Sequence, residues 1–165
     1  LGINLLDFGC VRRFQPVFVE GVINLYNGLK NNNQEMLVNS YESWGFKNLN
    51  KELIDILNVW ANFIYGPILD NRSRTVADGI EPEVYGRKEA FNVYQSLKKI
   101  GPVEIPREFV FMDRAAIGLG SVFLHLNANL NLHNLFEEAI GEFNIDKLTK
   151  KQSEVFKKTG VDFGL

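Results

Sequence analysis

The sequence predicts a mainly α fold, one short N-terminal strand followed by six or seven helices. Three observations predict it. Apolar residues recur at helical spacing through most of the chain. Pro and Asn stand where those stripes begin, and Gly or Gly-Pro where they end. Only one brief apolar run, beginning at Ile3 and closed by Phe8-Gly9, reads as a buried strand.

Taken in order, residues 3–7 are the expected strand, and the segment from Cys10 to Gln15, with Arg12 and Arg13 together, is a loop. Pro16 suits the first turn of a helix, where its missing N–H costs little. Phe18, Val22, Leu25, Tyr26 and Leu29 then form a stripe that stops at Lys30-Asn31-Asn32-Asn33. A second helix is expected over 34–44, with Leu37, Tyr41 and Trp44 on one side and Gly45 as its cap. Asn50 caps a third, carrying Leu53, Leu57, Trp60 and Ile64, and Gly66-Pro67 is expected to end or kink it.

The stretch from Asp70 to Glu81, with Arg72, Arg74 and Gly79, has no regular pattern. Pro82 is expected to open a fourth helix with Ala90, Phe91, Tyr94 and Leu97 inward, ended by Gly101-Pro102. Pro106 starts a fifth, in which Phe109, Met112, Ala116, Leu119, Phe123 and Leu126 form the strongest stripe of the chain. Asn131 caps a sixth, with Leu132, Leu135, Phe136, Ala139, Ile140 and Phe143 inward. A final helix, about Asp146 to Lys158, is polar enough to be peripheral.

Composition narrows the function classes. A chain of 165 residues, 45% hydrophobic with thirteen Phe, is long and apolar enough for one packed domain. A net charge of −2 gives no electrostatic case for nucleic-acid binding. One cysteine excludes an internal disulfide and suits a reducing compartment. No segment reads as a signal peptide. The longest run without Asp, Glu, Lys or Arg, from Ala115 to Phe136, holds four Asn, two His and two Gly, a poor fit to a membrane span. We therefore expect a cytoplasmic chain.

The stretch Ile3-Asn4-Leu5-Leu6-Asp7-Phe8-Gly9-Cys10-Val11 delivers an acidic residue, an aromatic and a glycine at the end of an apolar run. Kinase-like enzymes use that order to hold Mg²⁺ against the phosphates of ATP, with the Asp as metal ligand. A second Asp-Phe-Gly at 162–164 follows Lys157-Lys158-Thr159-Gly160-Val161, with no apolar strand before it, and reads as a solvated tail.

With its Leu-Leu-Asp-Phe-Gly-Cys-Val-Arg-Arg-Phe opening, its helical region and the later Ile-Pro-Arg-Glu-Phe-Val-Phe-Met-Asp-Arg-Ala-Ala-Ile-Gly-Leu-Gly, the chain resembles the UbiB/AarF family of atypical protein-kinase-like proteins over about Leu5 to Phe143. The resemblance implies the C-terminal-lobe part of a kinase-like fold, in which 1–12 is the metal-binding strand and loop, 13–158 the helical region and 159–165 a tail. It implies Mg²⁺ and ATP as cofactors, Asp7 as metal ligand, and Phe8 and Gly9 as residues shaping the nucleotide pocket. It also implies ATPase or kinase-type activity in ubiquinone biosynthesis, with isoprenoid lipid or enzymes of that pathway as partners and peripheral attachment at the inner membrane. The family's Lys-x-Gly-Gln helix, Ala-rich nucleotide loop, ion-pairing Lys and Glu, and Asn-bearing catalytic loop should all precede Asp7 and are not in these residues. The chain therefore reads as a fragment, inactive alone. Two other readings stand beside this one: a phosphotransferase of the aminoglycoside or choline kinase type, and a non-catalytic helical or pseudokinase module.

Other candidates favour plainer roles. Cys10 has no neighbouring His to generate a thiolate and reads as a small apolar filler. Arg12, Arg13, Arg72 and Arg74 could contact phosphate or simply line solvated loops. His133 and Glu137, at i and i+4, supply two ligands where a Zn site needs more, and read as surface polarity, as do Glu137-Glu138 and Glu81 with Glu83. Gly118-Leu119-Gly120 is read as permitting close helix packing. Asp113 and Arg114 flank an apolar stripe, so both are expected to be partnered.

Overall fold

A computed structural model describes residues 4, 11–81 and 84–160. The expected strand at 3–7, the Asp7-Phe8-Gly9 motif, Cys10, Pro82, Glu83 and the second Asp-Phe-Gly lie outside the described residues, Asn4 excepted. Among the described residues there are seven helices: α1 (Pro16–Lys30), α2 (Gln34–Ser43), α3 (Lys51–Leu69), α4 (Arg87–Ile100), α5 (Arg107–His125), α6 (Leu132–Ile140) and α7 (Ile145–Thr159). The only bridge among them outside the helices joins Arg74 to Leu130. The fold is mainly α, as expected.

Helices α1 and α2 form an antiparallel hairpin, and two glycines of α1 explain how closely they pack. A Cβ on Gly21 would lie 2.6 Å from both Ser43 Oγ and Trp44 Nε1, and one on Gly28 would lie 2.7 Å from a Leu37 methyl. The hairpin turns through Asn31 to Asn33, and the Asn33 side chain caps α2 by accepting from the Met36 N–H. Gly45, at φ +99°, follows α2 in the left-handed conformation that a helix-ending glycine supplies.

Asn50 caps α3 through the Leu53 N–H, as its position predicts. Leu53, Ile56, Leu57, Ala61 and Tyr65 of α3 are buried, and with Phe18, Leu25, Tyr26, Leu37, Tyr41 and Trp44 they make the core. A chain of aromatic contacts runs through it. Phe18 stacks on Trp44 at 5.4 Å, and Phe109 meets Trp44 at 5.5 Å and Phe46 at 5.2 Å. The many Phe residues are thus spent largely on inter-helix contacts. α6 and α7 close the α1 side, with Phe136 edge-on to Tyr26 at 4.8 Å.

The structure corrects four expectations. α3 does not end at Gly66-Pro67 but runs through Pro67 to Leu69, because a proline in the last turn removes only one N–H from the ladder. In α4, Leu97 and Ile100 pack on the core, while Ala90 is exposed and Phe91 and Tyr94 are 60% and 61% exposed. Among the described residues α4 packs mainly on α3, which covers one row of its side chains. In α5 only the first turns dock, through Phe109 and Met112, leaving Leu119 and Leu126 exposed. In α6, Phe136 and Ile140 pack inward, whereas Leu135 and Ala139 face solvent.

Candidate functional site

The segment that follows the Asp-Phe-Gly motif is fastened to two distant helices. Arg12 forms a two-pronged ion pair with Glu108: its Nε donates to Oε2 at 3.1 Å, and its Nη2 contacts Oε1. The same guanidinium lies over the Phe111 ring, 4.7 Å from its centroid, and Arg107 approaches that ring at 5.5 Å. Arg13 Nη1 donates to Gln152 Oε1 at 3.0 Å and lies over the Phe156 ring at 4.7 Å. Gln152 Nε2 returns a bond to the Phe14 carbonyl at 3.0 Å. Arg12 and Arg13 are therefore not loosely solvated: they lash residues 12–14 to α5 and α7. Their planar forks suit paired oxygens and ring faces, which Lys could not serve equally.

Asp7, Phe8 and Gly9, the residues expected to hold Mg²⁺ and ATP, lie outside the described residues. Among the described residues, no three His, Cys, Asp or Glu side chains gather where a metal could sit. Mg²⁺ takes a few carboxylates together with phosphate and water oxygens.

His133 and Glu137 are engaged with α1 rather than left on the surface. Glu137 Oε1 accepts from Lys30 Nζ at 2.6 Å and from the Tyr26 hydroxyl. His133 Nδ1 lies 2.9 Å from the Ile68 carbonyl and 3.2 Å from the Tyr26 hydroxyl. A carbonyl only accepts, which assigns the Nδ1 hydrogen to that bond. The Lys30 ammonium, with help from the Tyr26 hydroxyl, holds the Glu137 carboxyl below its usual range. Burial, reinforced by the carboxylate, pushes the Tyr26 phenol up. These four side chains tie α6 to α1 and to the end of α3.

Arg72 and Arg74 are likewise committed. Arg74 donates to Asp70 at 2.9 Å and to the Thr75 and Val76 carbonyls at 3.0 and 2.8 Å. Arg72 donates to Asp70 at 2.8 Å and to Asp78. Asp70 and Asp78 are held below the usual carboxylate range, chiefly by Arg74 and Arg72 respectively. Arg72 and Arg74, read from the sequence either as phosphate contacts or as plain loop residues, are engaged with the carboxylates and carbonyls of their own loop.

Asp113 is partnered as expected, accepting from Trp60 Nε1 at 2.7 Å. Arg114 is not: it is exposed and makes no hydrogen bond or ion pair with a described residue, because its position turns away from the docked face of α5. Nor do Gly118 and Gly120 permit close packing here, since a Cβ on either would meet nothing within 4 Å. An open groove of about 380 Å³ between α3 and α4 is lined by Glu52, Asp55, Val59, Asn92, Ser96 and Lys99.

Sequence reasoning passed over Glu108, Gln152, Tyr26 and Lys30. Each finds its partner across 96 to 139 positions, a separation that no local spacing reports. Among the described residues no helix is long and apolar enough to cross a membrane. Comparison with protein-family models, with curated proteins and with solved structures finds no match for this chain.

Proposed function

We propose that this chain forms the C-terminal-lobe part of a UbiB-like atypical kinase or ATPase that binds Mg²⁺-ATP and serves ubiquinone biosynthesis. Asp7 is the metal ligand in this reading, and Phe8 and Gly9 shape the nucleotide pocket. The observation that supports it best is the Arg12–Glu108 pair with Phe111 beneath it. It joins the two stretches on which the resemblance rests, the opening motif and the Pro106–Gly120 segment.

Phosphoryl transfer is mostly positioning and electrostatics, so a bound metal would supply charge neutralisation at the phosphates. This chain's own part is narrower. Asp7 offers one carboxylate, and the Arg12 and Arg13 contacts anchor the chain three to four residues beyond Gly9.

The test uses the chain joined to its natural upstream sequence. Titration calorimetry should detect Mg²⁺-dependent ATP binding that Asp7→Asn abolishes and Asp162→Asn leaves intact. Retained binding in Asp7→Asn would overturn the assignment, as would an upstream sequence without a Lys-x-Gly-Gln segment. Quinone content in cells carrying Asp7→Asn then separates catalysis from a scaffold role, which would leave it unchanged.

A further inference from the structure

The outer face of α4 sets exposed aromatic rings among exposed cations, whether or not the chain binds a nucleotide. Arg87, Phe91, Tyr94 and Lys98 follow one another at spacings of four, three and four residues, one line about 16 Å long. Lys88 stands beside that line. Phe91 and Tyr94 are 60% and 61% exposed, and the three cations are exposed as well. Neither those cations nor the Tyr94 hydroxyl makes a hydrogen bond or ion pair with a described residue. Glu89, the one carboxylate of the helix, falls on its opposite side. Leu97 and Ile100 hold α4 on the core from that other side, and Phe91 and Tyr94 take no part in this docking.

Charge says what such a face accepts. Four cations against Glu89 give α4 a net charge of +3 within a chain of net charge −2, which leaves −5 on the other residues. α7 is equally basic, but Glu154 stands among its lysines and its one ring, Phe156, lies under Arg13. Of these two basic helices, α4 is therefore the one that joins positive charge to open aromatic surface. We propose that this face docks an acidic, amphipathic segment of a partner protein. The segment's apolar side chains cover Phe91 and Tyr94, and its carboxylates meet Arg87, Lys88 and Lys98. An aromatic anchor with charge at its rim supplies both the contact energy and the steering that such a partner needs.

The surroundings favour a peptide over broader anionic partners. The open groove between α3 and α4 borders this face, and its α3 rim carries the Glu52 and Asp55 carboxylates. A bilayer or a nucleic-acid duplex laid flat on α4 would bring its phosphates towards both carboxylates and bridge the groove without filling it. A single peptide segment is narrow enough to follow α4 alone. A contact of one helix width is small, so the complex is transient and sensitive to salt.

The probe is a synthetic helical peptide about the length of α4, with Leu along one face and Glu on both flanks. Fluorescence anisotropy with the full chain should show saturable binding that weakens as salt rises. Phe91→Ala combined with Tyr94→Ala should weaken it at least about tenfold, as should Arg87→Glu combined with Lys98→Glu. Lys150→Glu combined with Lys157→Glu, on α7, should leave it unchanged. The same peptide with Lys in place of Glu should not bind. Absence of saturation up to about 1 mM peptide overturns the proposal. Binding indifferent to both α4 pairs, or matched by the Lys peptide, overturns it too. Sedimentation with phosphatidylserine vesicles, or binding of oligodeoxythymidine, that the α4 pairs abolish overturns it in favour of lipid or nucleic acid. If one α4 pair loses helical circular dichroism, the other pair decides.

Discussion

Trp60 and Asp113, which lie 53 positions apart, meet through one hydrogen bond, from the indole Nε1 to the carboxylate Oδ1 at 2.7 Å. This contact fixes how α5 sits on α3, beside a small cavity lined by Trp60, Met112, Tyr65 and Asp113. Burial raises the Asp113 carboxyl above its ordinary range, and the Trp60 bond only partly opposes that rise. A raised folded-state value means stability that is full below the ordinary carboxyl value and lost as pH climbs through the raised one. Asp113→Asn keeps an acceptor and removes the charge. It should therefore be more stable than the parent at pH 7, with the difference closing in acid. Asp113→Ala leaves Trp60 Nε1 unpaired and should cost about 1–3 kcal/mol. Urea unfolding at neutral and acid pH checks both.

The glycines of α1 and α5 should respond oppositely to one methyl. Gly21→Ala forces a Cβ into Trp44 and Ser43 and should destabilise by about 1–3 kcal/mol. Gly118→Ala and Gly120→Ala meet open space inside a helix and should stabilise by about 0.5–1 kcal/mol each. Melting temperatures should move by about 2–4 °C per kcal/mol in a chain of this size.

Acid should loosen α6 before it unfolds the core. Glu137 has a depressed carboxyl value, set first by Lys30 and then by Tyr26, so its contribution is present above the ordinary carboxyl value and lost as pH falls through the depressed one. Asp70 and Asp78 act with the same sign in the neighbouring loop. Protection of 132–140 against hydrogen exchange, taken relative to the intrinsic rate at each pH, should fall on acidification below the ordinary carboxylate range, and Glu137→Gln should flatten that fall. Unchanged protection of α6 through the same titration would refute the link.

The Arg12–Glu108 pair predicts a charge-swap rescue. Arg12→Glu sets two carboxylates side by side and should free residues 11–15 for exchange and for cleavage by endoproteinase Glu-C. Adding Glu108→Arg should restore protection without altering the α1–α3 core. Limited proteolysis of the single and the double variant, which share that cleavage site where the parent has no Glu between 11 and 15, reads this directly.

Local rules carried far where the interactions are local. Asn50 and Asn131 cap the helices that follow them, as their positions predict, and the stripes of α1 and α2 bury Phe18, Leu25, Tyr26, Leu37 and Tyr41. Periodicity failed in α4 and α5 because it gives the apolar face of a helix without saying how much neighbouring surface will cover it. Phe91, Tyr94, Leu119 and Leu126 obey helical spacing and still stand in water.

By itself, the sequence determined a mainly α fold of six or seven helices, the caps at Asn50 and Asn131, and the buried stripes of α1, α2 and α3. These depend on residues within a turn or two of one another. The tertiary structure alone decided that Arg12 pairs with Glu108, that Tyr26 and Lys30 hold Glu137, and that Arg114 finds no partner among the described residues. Such choices rest on which surfaces the packed helices bring within about 3 Å, the range over which a hydrogen bond discriminates one partner from another.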